Sequence, residues 1–327
     1  MKTYKWGILG TGNIARKFCN ALHLLDNAEI YAVGSRKPET AGKFATEFKI
    51  PKVYGTYEDL VTDPDVDVIY IATPHTYHMD NALLALRNGK NVLCEKPLAI
   101  NAAEVKKMFD EASARGLFLM EALWPPFQAN YLKAIEIIAS GEMGKVKHMY
   151  SKFAFDDGYN PLRRTFNMDL GGGALLDIGI YPVMDILRFM GKPDSVEARS
   201  DIAPTGADTS TSMMFCYNDG RMAEAFCSFA SPAGISTEIN LEKGNITLSR
   251  GRTQGQHLVI ETNNSESREM IFNPAAFGFQ FEAAEVMSCL DQGLKESKVV
   301  PRSFSEDLID LLDTIRKKTG VVYPGHD

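Results

Sequence analysis

Cysteine is scarce and without pattern in this chain of 327 residues: Cys19, Cys94, Cys216, Cys227 and Cys289 are odd in number, and no two form a Cys-x-x-Cys pair. Neither a disulfide framework nor a cysteine zinc site is expected, and a reducing cytoplasm is the expected compartment. Basic clusters are missing too. Thirty-five Lys and Arg stand against 42 Asp and Glu, a formal net charge of −7, which argues against nucleic acid as a partner and for a small-molecule ligand. No uninterrupted run of eighteen apolar residues offers a membrane span. Because a strand pattern starts within the first few residues, no signal or transit peptide is expected ahead of it. Disordered composition is absent as well: 45% hydrophobic and 24% charged residues suit a globular chain. At this length one core is not enough, so two domains are expected.

What is present begins at once. Lys5 to Leu9 reads as a buried strand, Gly10-Thr11-Gly12-Asn13-Ile14-Ala15 follows, and Ile14 to Leu25 reads as a helix. Gly10 permits a tight turn, Gly12 lets backbone approach a pyrophosphate, and small Ala15 allows close packing of helix on strand. Thr11, Asn13 and Ile14 then lie where helix N–H groups and the positive dipole end attract phosphate. Alone, such a string is also an ordinary strand-to-helix turn that binds nothing. A second strand at Glu29 to Ser35 completes a βαβ unit and favours a dinucleotide site.

Through about residue 122 strand and helix patterns alternate: a strand at Val66 to Ala72, a helix at Tyr77 to Asn88, a strand at Asn91 to Cys94, a helix at Ala102 to Arg115 and a strand at Leu117 to Met120. This predicts an α/β Rossmann domain, a doubly wound parallel sheet, over residues 1–122. After a helix at about Gln128 to Ser140 the period becomes two, over Lys145 to Asp156 and Asp208 to Phe229, with Asn218-Asp219-Gly220 as a hairpin signal. Residues 123–327 are therefore expected to form an α+β domain with an open, mostly antiparallel sheet for substrate binding and oligomerisation. The last helix, about Ser305 to Lys318, could pack on either domain. Alternating Phe153 and Phe155, and Met213, Phe215 and Tyr217, suggest an apolar sheet face that a second copy covers, giving a homodimer or homotetramer.

Candidate chemistry collects where strands end. Glu29 starts its strand and cannot serve ribose hydroxyls at the other end, where Ser35, Arg36 and Lys37 stand instead. A hydroxyl and two cations suit a 2′-phosphate, so NADP is expected over NAD; a solvated basic turn is the plainer alternative. Thr73, Pro74, His75 and His78 follow another strand and are read as lining the cofactor; no metal is expected, for want of a third ligand. Glu95, Lys96 and Pro97 end a further strand and bring an ammonium to the same edge, although a snorkelling surface lysine has the same pattern. Gly171-Gly172-Gly173 opens a helical stretch to Met190, in which Asp177 and Tyr181 are four apart and share a face, and Pro182 is expected to kink it. No Tyr is followed by Lys at the fourth residue, which excludes the usual short-chain dehydrogenase arrangement.

Gly10-Thr11-Gly12-Asn13-Ile14-Ala15, Ala72-Thr73-Pro74, Glu95-Lys96-Pro97, Glu121-Ala122-Leu123-Trp124 and the segment from Gly171 to Tyr181 together resemble the Gfo/Idh/MocA oxidoreductase family, most closely its branch of dihydrodiol, xylose and glucose-fructose oxidoreductases. The resemblance implies an active site between the two domains, Lys96 as catalytic lysine, Tyr181 as acid/base and Asp177 as the acid one turn earlier. Trp124 and Arg164 match substrate-pocket positions, and His75 stands where the family often has Asn. It further implies hydride transfer between NADP(H) and a carbinol or hemiacetal carbon of a sugar or cyclic vicinal diol. A phenol near pKa 10 is a poor base at neutral pH, so a neighbouring cation is chemically needed. The alternatives are a reductase of anhydro or keto sugars and a regulatory protein that senses NADP without turnover.

Overall fold

The computed structural model describes residues 2–250 and 256–327. The chain divides into two compact units, Met1–Phe127 with Ala275–Glu306, and Gln128–Pro274 with Asp307–Asp327.

In the first unit, β1 (Tyr4–Leu9), β2 (Ala28–Gly34), β3 (Lys52–Tyr54), β4 (Val68–Ile71), β5 (Asn91–Glu95) and β6 (Leu119–Ala122) form a parallel sheet in the order β3-β2-β1-β4-β5-β6. All four residues of β4 are buried, as a strand covered on both faces requires. The helices are α1 (Asn13–Leu22), α2 (Pro38–Phe48), α3 (Tyr57–Thr62), α4 (His78–Arg87) and α5 (Ala102–Arg115). Local chemistry sets their ends: Asn101 Oδ1 accepts from Glu104 N at 2.9 Å to start α5, and Gly116, in the left-handed region, stops it. Strand order reverses between β1 and β4, so the ends of these two strands flank the crevice where open α/β sheets bind ligands.

The compact units do not follow the chain in two uninterrupted halves. The first unit runs on to Phe127 and recovers α8 (Phe279–Asp291) from late in the chain. Side-chain contacts explain the return: the Tyr4 hydroxyl donates to Asp291 at 2.8 Å, and Trp124 meets Phe279 edge-on at 5.6 Å between centroids. The last helix, α9 (Arg302–Thr319), is divided at Glu306. Ser305 bonds Glu121 within the first unit, whereas Asp307 accepts from Lys192 within the second.

The second unit holds α6 (Ala129–Ser140), α7 (Ile180–Met190) and an eight-stranded sheet of β7 (Val146–Asp156), β8 (Ser195–Ile202), β9 (Asp208–Cys216), β10 (Met222–Ser228), β11 (Ala230–Leu241), β12 (Gly244–Arg250), β13 (Gln256–Thr262) and β14 (Ser267–Phe272). Its order is β14-β13-β12-β11-β7-β10-β9-β8, antiparallel except where β7 meets β10. Gly220, at φ 88°, makes the β9–β10 turn that the sequence signals. One expectation about this sheet is reversed. Met213, Phe215 and Tyr217 are buried on the helix-covered face, and Phe153 stacks on Tyr181. The opposite face carries Met214 (42% exposed) and Met222 (50% exposed) among Glu224, Tyr150 and Lys152. The stretch Met168–Met190 is apolar enough to span a membrane by length and composition, with mean hydropathy 1.4 over an 18-residue window, but 94% of that window is buried. Core packing accounts for it.

Candidate active site

In the first unit, β1 runs into Gly10 at φ +102°, where an added Cβ would lie 2.9 Å from the Ala72 carbonyl oxygen. Only glycine fits there, and it lets the loop lie against the end of β4. Gly12 starts α1 without a side-chain cap, no acid occupies the first turn, and a Cβ on Gly12 would meet only the Ala72 oxygen at 3.9 Å. Thr11, Asn13 and Ile14 are partly or fully exposed around this helix start, while Ala15 is fully buried beneath it. An uncapped N-terminus with open space before it fits a pyrophosphate.

At the end of β2, Ser35 is buried and its Oγ accepts from Lys37 N at 3.3 Å, shaping the turn. Arg36 is exposed, its guanidinium 5.1 Å from the Tyr77 ring centroid. Tyr57 bonds the same guanidinium, and burial pushes the Tyr57 hydroxyl pKa up. Arg36 is thus pre-positioned by two aromatic residues that sequence reading did not single out. No carboxylate lies between Gly34 and Lys37.

The β4 and β5 ends are braced from within. Thr73 Oγ1 accepts from Asn81 at 3.1 Å, His75 is buried, and its ring lies 5.6 Å from that of His78. Pro74 begins the short turn that carries His75. His78 itself is 0% exposed, with Nδ1 2.8 Å from the Pro97 carbonyl oxygen and Nε2 2.9 Å from that of Thr73. Both ring nitrogens are taken by backbone, so His78 braces the loops that face the cofactor edge.

Lys96 is half-buried between anchored neighbours. The Tyr70 hydroxyl donates to Glu95, and Tyr70 is stacked on Phe18 at 3.7 Å. Beyond the cis Lys96–Pro97 bond, Leu98 N donates to Glu121 Oε1 at 2.9 Å, and Ser305 Oγ donates to Glu121 Oε2 at 2.7 Å. Burial pushes the Glu121 carboxyl up to about 7, against the pull of those two bonds and of Lys96. On α8, Glu282 is fully buried, and burial together with Glu95 holds its carboxyl well above the usual range. Glu121 belongs to a motif seen in the sequence without a role. Glu282 had no signal at all, because its helix lies far along the chain.

In the second unit a π-helical turn, Leu175–Gly179, leads into α7. Pro182 has no N–H to donate to Ile178 or Asp177, so the expected kink takes the form of this wider turn. Asp177 sits on it, its Oδ2 2.7 Å from Arg164 Nη2, the two side chains 12% and 40% exposed. Tyr181 follows in the first turn of α7, buried, its ring 5.4 Å from Phe153. One turn on, Asp185 accepts from Ser151 at 3.1 Å and from Thr237, tying α7 to the sheet. Asp208 fixes the start of the segment: its Oδ2 accepts from Leu175 N at 2.7 Å and from Thr211 at 2.9 Å, and burial pushes its carboxyl up to about 6. The triple glycine serves this approach. A Cβ on Gly173 would lie 2.4 Å from Asp208 Oδ1, and one on Gly172 2.6 Å from the Arg164 carbonyl oxygen.

Residues 4–123 match a family model described as an oxidoreductase family with an NAD-binding Rossmann fold, and residues 131–247 match the GFO/IDH/MocA C-terminal domain. Similar curated proteins include the trans-1,2-dihydrobenzene-1,2-diol dehydrogenases of Mus musculus, 37% identical with 98% of each chain covered, and of Xenopus laevis, 36% identical over 98% of this chain and 99% of that one. Two solved structures share the fold. A 3-ketoreductase from Actinomadura kijaniata, in complex with NADP and TDP-benzene, has a TM-score of 0.86 at 23% identity, covering 97% of this chain and 98% of the other. A levoglucosan dehydrogenase, in complex with NADH and levoglucosan, has a TM-score of 0.88 at 19% identity, covering 98% and 97%.

Proposed function

This chain belongs to the GFO/IDH/MocA oxidoreductase family, and from that membership we propose that it transfers hydride between NADP(H) and a carbinol or hemiacetal carbon of a cyclic vicinal diol or a sugar. At the coarser level it is an NAD(P)-dependent oxidoreductase acting on CH–OH groups. The observation that carries the proposal is the end of β5, where partly exposed Lys96 stands between Glu95 and Leu98, each locked by a buried hydrogen bond. Anchoring on both sides of Lys96, at the ligand edge of a dinucleotide-binding sheet, supports reading it as a chemical group rather than a loose surface cation.

When bound, the dinucleotide supplies or accepts the hydride. Gly10, Gly12 and the start of α1 would hold its pyrophosphate, and Arg36 with Ser35 its 2′-phosphate, which supports NADP over NAD. Tyr181 takes the hydroxyl proton on oxidation and returns it on reduction. Lys96 bonds the substrate oxygen. Asp177, held by Arg164, orients the substrate or a water. The chain further self-associates, as a dimer at least, across the face of its second sheet that turns Met214 and Met222 outward.

The test is a panel of trans-dihydrodiols, pentoses, hexoses and inositols with NADP and with NAD, followed at the nicotinamide absorbance band. NADP-linked oxidation of a diol or sugar is expected. An enzyme that binds NADP tightly and turns over none of the panel points instead to a sensing protein.

A further inference from the structure

We propose that His78 is held as a doubly protonated imidazolium and, in that form, is a positioning residue that clamps the Thr73 loop to the Lys96–Pro97 turn. The argument is one of donors and acceptors. His78 Nδ1 lies 2.8 Å from the Pro97 carbonyl oxygen and Nε2 lies 2.9 Å from the Thr73 carbonyl oxygen, and a carbonyl oxygen can only accept. A neutral imidazole has one N–H. In either tautomer its second nitrogen would then turn a lone pair toward an oxygen lone pair inside hydrogen-bond distance. His78 is 0% exposed, so the ring has no face open to bulk solvent that could relieve that contact. Two protons satisfy both contacts with charge-assisted bonds, the stronger class.

Two effects oppose the charge: burial, and the place of His78 as the first residue of α4, whose dipole end is positive. Several titratable groups lie close to the ring or to its partners along the chain. His75 lies 5.6 Å away from the neighbouring turn, Asp80 follows two residues on in α4, and Glu95 and Lys96 directly precede Pro97 in the chain. By sign, a carboxylate near the ring favours the cation, and an ammonium opposes it. The two carbonyl dipoles act at hydrogen-bond contact, whereas the helix end acts through a diffuse partial charge, so the near contacts decide. The consequence lies next to the chemistry. Thr73 ends the segment after β4, Pro97 follows Lys96, and a single ring sets the spacing of both backbones.

The test reads the ring directly. In protein labelled with 15N-histidine, the His78 resonances are identified by their loss in His78→Gln or, should that variant not fold, by elimination with variants at His23, His75, His148, His257 and His326. Both His78 nitrogens are expected in the protonated range at pH 8, well above the ordinary histidine pKa of about 6.5. One unprotonated nitrogen at that pH overturns the proposal. The positioning arm rests on the oxidoreductase reading. There His78→Gln is expected to lower kcat about 10-fold or more with the Kd for NADP within about 3-fold, the mark of a misplaced catalytic group. Unchanged kcat overturns the clamp's role. Wild-type protein without turnover strikes instead at the oxidoreductase reading, and the ring nitrogens still judge the charge.

Discussion

Arg36 is the residue on which cofactor choice turns. Its guanidinium rests on Tyr77 and bonds Tyr57, so little order remains to be imposed when a 2′-phosphate arrives. One charge-assisted bond is worth roughly 1.5 to 3 kcal/mol, so Arg36→Ala is expected to raise the Kd for NADP about tenfold or more while leaving that for NAD nearly unchanged, as titration calorimetry would record. Equal loss for both dinucleotides would place Arg36 in general architecture. At the reacting groups, Tyr181→Phe and Lys96→Ala are each expected to cut kcat about 10² to 10⁴-fold, some 3 to 5 kcal/mol of barrier, with NADP binding little altered. A variant that keeps wild-type turnover assigns its residue to structure. Asp208 makes a separate prediction about pH. Its folded pKa, about 6, stands above the ordinary 3.8, so its stabilising share is whole below about pH 4 and is lost as pH rises through 6. Asp208→Asn removes that dependence. Relative to wild type it should gain stability between pH 4 and 7, by at most about 3 kcal/mol in urea unfolding, and a constant difference across this range contradicts the assignment.

At the scale of elements, the segment from Gly171 into α7 is the least regular and the most consequential. Gly173, at φ +125°, leaves no room for a side chain beside Asp208, so Gly173→Ala should cost about 2 to 4 kcal/mol of stability, and a melting temperature within a degree or two of wild type would refute that. Pro182 withholds the donor that would close a regular turn on Ile178. With Pro182→Ala the segment is expected to rewind toward α-helix and shift Asp177 off Arg164; a crystal structure retaining the π-helical turn contradicts this. The sequence announced both devices, as three glycines and a proline in an apolar helix. It could not show that the glycines serve an approaching carboxylate, because Asp208 comes more than thirty residues later and only the fold brings it there.

Across the whole molecule, one face of the second sheet turns residues of alternating character outward, Met214 and Met222 beside Glu224 and Tyr150. Such a mixed face suits a partner that both buries methionine and pairs charge. Light scattering at micromolar concentration is expected to return a dimer or larger species, and the double variant Met214→Lys, Met222→Lys a monomer. A monomeric wild type removes the idea. The residues first suggested for this face, Met213, Phe215 and Tyr217, point the other way, since a period-two pattern tells that a strand has two faces and not which one a helix covers.

The sequence by itself determined whatever depends on neighbours along the chain. The fingerprint turn after β1, the parallel alternation up to β6 and the hairpin at Gly220 are written in local spacing, because turns, caps and periodicity are local physics, whereas the roles proposed for Lys96, Asp177 and Tyr181 come from resemblance to a family. Tertiary structure decided what depends on distant segments meeting. It returned α8 to the first unit, buried Glu282 near Glu95, set Glu121 beneath Leu98, and seated His78 between two carbonyls. Burial and hydrogen bonding at those places come from elements far apart in the chain, and the environment that sets a side chain's charge exists only once they have packed.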